Sequence, residues 1–382
     1  MSSMPSWDVH FNVRIRVDEP RLVRAIERSR AIAETIRGIP VTVGVRRRLN
    51  ALNIARAVRG TAAIEGTRIS ETEALEVLDA PADVKVLPDD RSRDEREARN
   101  AQAVLEFVQH ELRANPERRL DEPLIREFHR LTTEGVPYQG NEPGQFRDHA
   151  VSAGDYRPPA TGDEVCRLMS DFVRWFDEGT AAAWDPIVRA AIAHFYVVSI
   201  HPFGDGNGRA SRGVESFMLY RAGINAFGFY SLANFYYQNR DAYVDALTAA
   251  RFRSDGDLTD FVLFAIEGLA SELAQVRREL MAMIRVIAFH EYARQTLEEV
   301  PGLGDRRRAR MLDLIRRLTG AQLARAPHEN LDSPSIIGSV YRRVGVRTTQ
   351  RDLRTLLEHE LLIERDGQLV PHVEIMALFA EP

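Results

Sequence analysis

The chain has 382 residues, 44% hydrophobic and 28% charged, with a formal net charge of -5. That length exceeds one ordinary domain, and that charge gives no bulk attraction to nucleic acid or anionic membrane, so any such contact must be local. A single cysteine, Cys166, excludes an internal disulfide and tetrahedral cysteine-zinc chemistry. Met1 to His10 lacks the pattern of a signal peptide, and no apolar run approaches the roughly 20 residues that span a bilayer, so a cytoplasmic protein without membrane contact is expected.

In chain order, helical periodicity comes first: Leu22, Ile26, Ile32 and Ile36, then Leu52, Ala55, Val58 and Ala62. "DDRSRDEREAR", Asp89 to Arg99, mixes both signs with no apolar residue but Ala98 and reads as a solvated helix start or linker. Val104, Leu105 and Val108 resume the helical pattern. Between Gly140 and Thr161 glycine and proline accumulate, and "FRDHAV" and "DYR" suit a short hairpin turning at Ser152 to Gly154. Asp185-Pro186 is a cap followed by proline at the first helical position, and opens the apolar run to Ile200. A further helix is expected from about Asn207, with Gly223 as its stop.

"VPGLGD", Val300 to Asp305, opens a C-terminal section. There Arg306 to Leu318, Ser335 to Val344 and a Thr349-capped segment read as helices, followed by two short strands turning at Asp366-Gly367. Helix, helix, helix, hairpin is the order of a winged helix-turn-helix domain. The expectation is a mainly α chain in three parts, 1–95, 96–299 and 300–382, with one small hairpin in its first two-thirds.

The densest chemistry is "HPFGDGNGRASR", His201 to Arg212, between two predicted helices. Gly206, Asn207 and Gly208 feed backbone N–H groups into a helix N-terminus, where the dipole favours an anion. Arg209 and Arg212, three apart, add two forked donors on one face, which suits successive phosphates better than a single carboxylate. Asp205 supplies an oxygen beside that anion site for magnesium, which takes one or two carboxylates together with phosphate oxygens. His201 is suited to removing a proton from an attacking hydroxyl. No Lys-Ser or Lys-Thr follows the glycines and the flanks are both helical, so the stretch is not a Walker P-loop. Phe203 and His194 read as packing residues.

The twelve residues resemble the signature of the Fic family, HxFx(D/E)GNGRxxR, at every fixed position. The resemblance covers about residues 50–265, including the hairpin "flap" at "FRDHAV" and the adenine-side segment "NRDAYVDAL", Asn239 to Leu247. It implies a helical Fic core that transfers AMP from ATP to a Ser, Thr or Tyr hydroxyl of a target protein or of the enzyme itself. On that reading His201 is the base, Asp205 the magnesium ligand, and Gly206, Asn207, Gly208, Arg209 and Arg212 the phosphate ligands. Asn239 and Tyr243 line the nucleotide, and Phe146, Arg147, Asp148, His149, Ala150 and Val151 hold the target as an added strand. The family's Doc branch, which transfers phosphate, lacks the Gly-Asn-Gly of residues 206–208. Other members remove AMP, and the motif leaves that direction open.

"TAAIEG", Thr61 to Gly66, is similar to the family's inhibitory motif (S/T)xxxE(G/N). Thr61 and Glu65 share a helix face, and the resemblance implies that Glu65 pairs with Arg212 in place of the γ-phosphate. It implies an autoinhibited enzyme, with homodimerisation an expectation from the family. In the C-terminal section Arg342, Arg343, Arg347, Arg351 and Arg354 suit DNA phosphates, and a protein-binding or dimerising winged helix fits equally. A DNA-binding regulator is therefore the rival function class.

Overall fold

The computed structural model describes all residues except 1–5, 65–68, 82, 139, 155, 225–231, 325–330 and 378–382. Among the described residues it is mainly α-helical and divides into two units, Met1–Arg277 and Arg278–Pro382.

The first unit holds α1 (Pro20–Gly38), α2 (Val43–Ile64), α3 (Glu71–Asp79), α4 (Ser92–Ala114), α5 (Glu122–Thr133), α6 (Gly162–Glu178), α7 (Pro186–Ile200), α8 (Asn207–Arg221), α9 (Ala233–Gln238) and α10 (Arg240–Phe252). Next, α11 (Thr259–Glu299) carries the boundary between the units. The organising element is α7, buried from Ile187 to Ile200 apart from the half-buried Arg189, as its largely apolar run dictates. Asp185 caps it, its carboxylate accepting from the Ile187 N–H at 2.9 Å, with Pro186 at the first position. α8 packs against α7 and stops just before Gly223 (φ 71°), the left-handed residue that the sequence marks as its stop.

One local expectation holds in part and another needs correction. The segment Asp89 to Arg99 is a helix start, one of its two expected forms, and no linker: α4 begins at Ser92, but it buries Glu95 and Glu97. Glu95 accepts the N–H groups of Val86 and Leu87 at 3.0 and 2.9 Å, so it closes the preceding loop. The hairpin expected within 146–159 is reduced, among the described residues, to an isolated antiparallel bridge between Ala153 and Tyr156. Its carbonyls are held instead by the buried guanidinium of Arg147, which donates to His149 O (2.6 Å), Pro159 O (2.7 Å) and His201 O (2.8 Å). Pro158 and Pro159 offer no N–H to a ladder.

The second unit follows the predicted order: α12 (Asp305–Ala324), α13 (Ser333–Val340), α14 (Val346–Glu358), then β1 (Leu362–Arg365) paired antiparallel with β2 (Gln368–Pro371). Asp366 and Gly367 both have positive φ, the two-residue turn that an Asp-Gly pair favours. α14 begins three residues before the predicted cap, because Gly345 takes the N-cap position and the Thr349 hydroxyl bonds back to Gly345 O at 3.4 Å. Phe289, Met311, Leu314, Leu318, Leu356 and Leu361 form the core of this unit. Beside it Asp352 is fully buried, accepting from Arg307 Nε (2.8 Å) and from Arg310 Nε (3.0 Å). No helix among the described residues is long and apolar enough to cross a membrane.

Removing one partner of a buried ion pair leaves the other charges uncompensated, at a cost of about 3 kcal/mol or more. Asp352→Ala is therefore expected to speed amide exchange across α12 and α14 by about 100-fold while α7 and α8 keep their protection. Unchanged exchange would show that Asp352 does not hold this unit together.

Candidate active site

The site is the turn between α7 and α8. His201 ends α7 in the left-handed region (φ 53°, ψ 58°), a conformation that non-glycine residues adopt at a cost and that recurs at functional positions. Its Nδ1 lies 3.1 Å from Val198 O, and a carbonyl can only accept. In the neutral ring this places the proton on Nδ1 and the basic lone pair on Nε2. Arg147 grips the His201 carbonyl and, with its own N–H, Pro202 O at 2.9 Å.

The loop is closed from inside. Asn207 accepts the Phe203 N–H through Oδ1 and donates to Phe203 O through Nδ2, each at 2.9 Å. Its carboxamide therefore shapes the loop, while its backbone N–H belongs to the first turn of α8. Phe203 is buried and stacks on His129 with ring centroids 3.7 Å apart, the anchor expected of it. His129, which the sequence did not single out, accepts the Gly144 N–H on Nδ1 (2.9 Å), so its Nε2–H donates to Asp205 O (3.0 Å). Burial lowers its pKa to about 4, and it spans loop and flap as a neutral ring. Gly204 and Gly206 are required: a Cβ would fall 2.2 Å from Gly140 O at the first, and 2.8 Å from Thr133 Cγ2 at the second, whose φ is 74°.

No side chain caps α8, in contrast to α5, α6 and α7. Its first turn carries the dipole into the loop. Asp205, with 42% of its side chain exposed, faces the same space and lies 3.4 Å from Arg209 Nη2. One partly exposed carboxylate beside an uncapped helix N-terminus is a group that could hold magnesium, which takes one or two carboxylates together with phosphate oxygens and water. No cluster of three or more His, Cys, Asp or Glu occurs among the described residues. Arg209 is 4% exposed and pairs with Glu97 at 3.1 Å. Arg212 is buried, and its Nη2 donates to Thr61 O at 3.3 Å, in the last turn of α2. A cavity of about 30 Å³ between α2, α4 and α8 is lined by Thr61, Glu97, Arg209, Arg212 and Ser216. Glu65 lies outside the described residues.

The remaining predicted residues divide. Phe146 is half-buried under the Arg126 guanidinium (3.6 Å from the ring centre), and Arg147 is buried as the tie described above. Asp148, His149 and Ala150 are exposed and Val151 half-buried, beside a cavity of about 430 Å³ that reaches Asn141 and Gly204. Asn239 is exposed and donates to Phe235 O at 3.0 Å. Tyr243 is buried, its hydroxyl 2.8 Å from His194 Nε2.

That histidine belongs to a second layer behind Arg212. His194 is wholly buried and its pKa falls to about 3, chiefly by desolvation, then through the Arg212 charge. Glu215, 3.6 Å away, is pushed up to about 8 by burial, while the Tyr236 hydroxyl donates to it at 2.8 Å. Both shifts favour neutral forms, so this contact is not an ion pair.

These features point to a class. An apolar buried helix, a left-handed histidine and a glycine loop with two arginines are similar to those of a Fic domain, and the Fic/DOC family pattern matches residues 119–219. The chain is 33% identical over 203 residues to "Protein adenylyltransferase Fic" of Aedes aegypti, covering 53% of this chain and 37% of that protein. It is 32% identical over 168 residues to "Protein adenylyltransferase fic-1" of Caenorhabditis briggsae, covering 43% and 31%. The matched stretch thus spans about a third of these relatives' own length. Among solved structures, Fic-1 from C. elegans superposes with a TM-score of 0.54 at 26% identity, over 68% of this chain and 74% of that one. A Fic family protein from Desulfovibrio desulfuricans G20 gives 0.54 at 20% identity, over 91% and 92%, a likeness of fold.

The buried neutral groups set a pH dependence. His129 and His194 stay neutral in the fold but protonate below 6.5 when unfolded, so their contribution falls as pH drops through that value. Glu215 is protonated up to about 8 in the fold but ionises above 4.5 when unfolded, so its contribution falls as pH rises from 4.5 to 8. Between pH 6.5 and 8 only Glu215 of the three acts, costing about 2 kcal/mol. Glu215→Gln is expected to remove that decline in the urea midpoint, and equal slopes in both proteins would mean that Glu215 is ionised in the fold.

Proposed function

We propose that this chain transfers AMP from ATP to a hydroxyl of a target protein or of itself, and that its N-terminal region restrains it. The observation that carries the reading is the geometry of His201. Its Nδ1 is committed to Val198 O and Nε2 holds the lone pair, on the same short turn that bears Asp205, Arg209 and Arg212. The target hydroxyl passes its proton to Nε2 as its oxygen attacks the α-phosphorus. The bond from that phosphorus to the bridging oxygen breaks, and pyrophosphate leaves. Asp205 would hold magnesium, which supplies neutralisation of phosphate charge when bound. The loop N–H groups and the two arginines position the triphosphate, and positioning with charge stabilisation is most of what such transfer needs. Asp148, His149 and Ala150, exposed beside the 430 Å³ cavity, suit main-chain capture of a target segment.

Restraint is supported by Arg212 bonding the carbonyl of Thr61, four positions before Glu65 in the sequence. A carboxylate engaging Arg212 takes the place of the γ-phosphate. Wild type, Glu65→Gly and Glu65→Gly/His201→Ala should be incubated with ATP labelled at the α- or γ-phosphate and host lysate. Only Glu65→Gly is expected to transfer α-label, at least about 10-fold above wild type. γ-Label would mean phosphoryl transfer, and equal labelling by wild type would end the restraint. No label from any variant would shift the reading to AMP removal, tested on an AMP-modified protein.

A second reading concerns 278–382, whose helix order suits a winged helix. Arg342, Arg343, Arg347, Arg351 and Arg354 are all exposed, and the last three follow i, i+4, i+7 along α14. We infer a DNA-phosphate surface. The full chain should bind a generic duplex at 50 mM salt, with binding falling as salt rises. Replacing Arg347, Arg351 and Arg354 by Ala should lower the log-log salt slope by about 3. No binding at 50 mM salt removes this reading.

A further inference from the structure

The interaction that the functional reading does not use lies behind Arg209. Glu97 is 3% exposed on α4, and its Oε1 gathers three donors: Arg209 Nη1 at 3.1 Å, Arg93 Nε at 3.0 Å and the Tyr138 hydroxyl at 2.6 Å. That hydroxyl also meets Arg209 Nη1. The Tyr138 ring is flanked by the two guanidinium groups, their central carbons 4.5 Å (Arg93) and 5.0 Å (Arg209) from its centre. At the opposite end of the guanidinium, Nη2 lies 3.4 Å from Asp205 Oδ1. Arg209 therefore reaches from a buried carboxylate on one side to the half-exposed carboxylate of the phosphate loop on the other.

We propose that Glu97 is the positioning residue of Arg209: together with Tyr138 it fixes the guanidinium before nucleotide arrives. The assignment rests on reading Arg209 as a phosphate ligand. Three features support it. An arginine left to itself keeps four rotatable bonds, and ordering it on binding weakens affinity. Glu97 stands on a long helix packed against α8, so the anchor moves with the helix that carries Arg209. A nucleotide engaging Asp205 and Nη2 from the loop side leaves the Nη1 anchor in place, because Glu97 is out of solvent reach. Glu95, two residues earlier, serves loop closure instead, so adjacent acids have separate tasks.

The test uses the full chain in the Glu65→Gly background, reading kcat and KM for ATP by α-label transfer, affinity for a fluorescent ATP analogue with magnesium, and the melting profile. Glu97→Ala is expected to raise KM for ATP about 10-fold with a smaller change in kcat. Glu97→Gln keeps an oxygen acceptor and the side-chain volume, and should recover most of the loss. In an Arg209→Ala background the analogue's affinity should fall no further when Glu97→Ala is added, since Glu97 acts through Arg209. An unchanged KM in a folded Glu97→Ala protein, or an equal further loss of affinity without Arg209, overturns the assignment. If Glu97→Ala does not fold, Tyr138→Phe decides, because it removes the hydroxyl that Glu97 and Arg209 share: a KM and an Arg209 coupling both unaltered by it overturn the assignment as well. A Glu65→Gly parent that neither binds nucleotide nor transfers label sinks the functional reading, and this assignment with it.

Discussion

The turn from α7 to α8 has to leave one fully buried helix and enter another within six residues, while holding its backbone open to a ligand. Two hydrogen bonds between Asn207 and the Phe203 backbone make that possible. They close the turn across four residues and bring Gly204 and Gly206 into contacts with Gly140 and Thr133 that no side chain would allow. With the turn fixed, His201 is held in its left-handed conformation, Asp205 faces the first turn of α8, and the two arginines leave that helix toward one side. A looser turn would keep all the same residues and lose their relation.

Polar groups that are not ligands hold this geometry in place. Arg147 is buried against three carbonyl oxygens rather than a carboxylate, so its charge joins the flap, the Pro159 segment and His201 without neutralising any acid near them. His129 performs a similar task as a neutral ring, accepting from one loop and donating to the other. A protonated histidine there would lose its acceptor for Gly144, and burial guards against this by holding the pKa low. The site is built from a rigid helix pair and two polar clasps, with its exposed charges confined to the mouth.

What the sequence made legible were features in which neighbouring residues decide the outcome. The bounds of α7 and α8 follow from Asp185-Pro186, a largely apolar run and Gly223, and the Asp366-Gly367 turn follows from its own two residues. The loop chemistry was readable because its members are contiguous. What escaped were residues whose partners lie far along the chain. Glu97 looked like one acid in a mixed run because Arg209, 112 positions later, could not be seen beside it. His129 carried no pattern at all, being one histidine on an amphipathic helix, 76 residues from the loop it supports. The flap was misjudged for a related reason: alternation suggested a hairpin, and a buried arginine within the segment claimed the carbonyls that a ladder would have used.

The two arginines of α8, three residues apart and alike in sequence, sit in different electrostatic settings. Arg209 is flanked by carboxylates on both sides, Glu97 behind and Asp205 in front, and shares Tyr138 with Arg93. Arg212 has a helix-end carbonyl before it and, behind it, a layer in which His194 and Glu215 are both held neutral. An ionised Glu215 would compete for Arg212 from the core side, and a protonated His194 would repel it. Keeping both neutral spares Arg212 a competing carboxylate and a repelling imidazolium on its core side, so the polar layer behind it fills space and makes hydrogen bonds without adding charge.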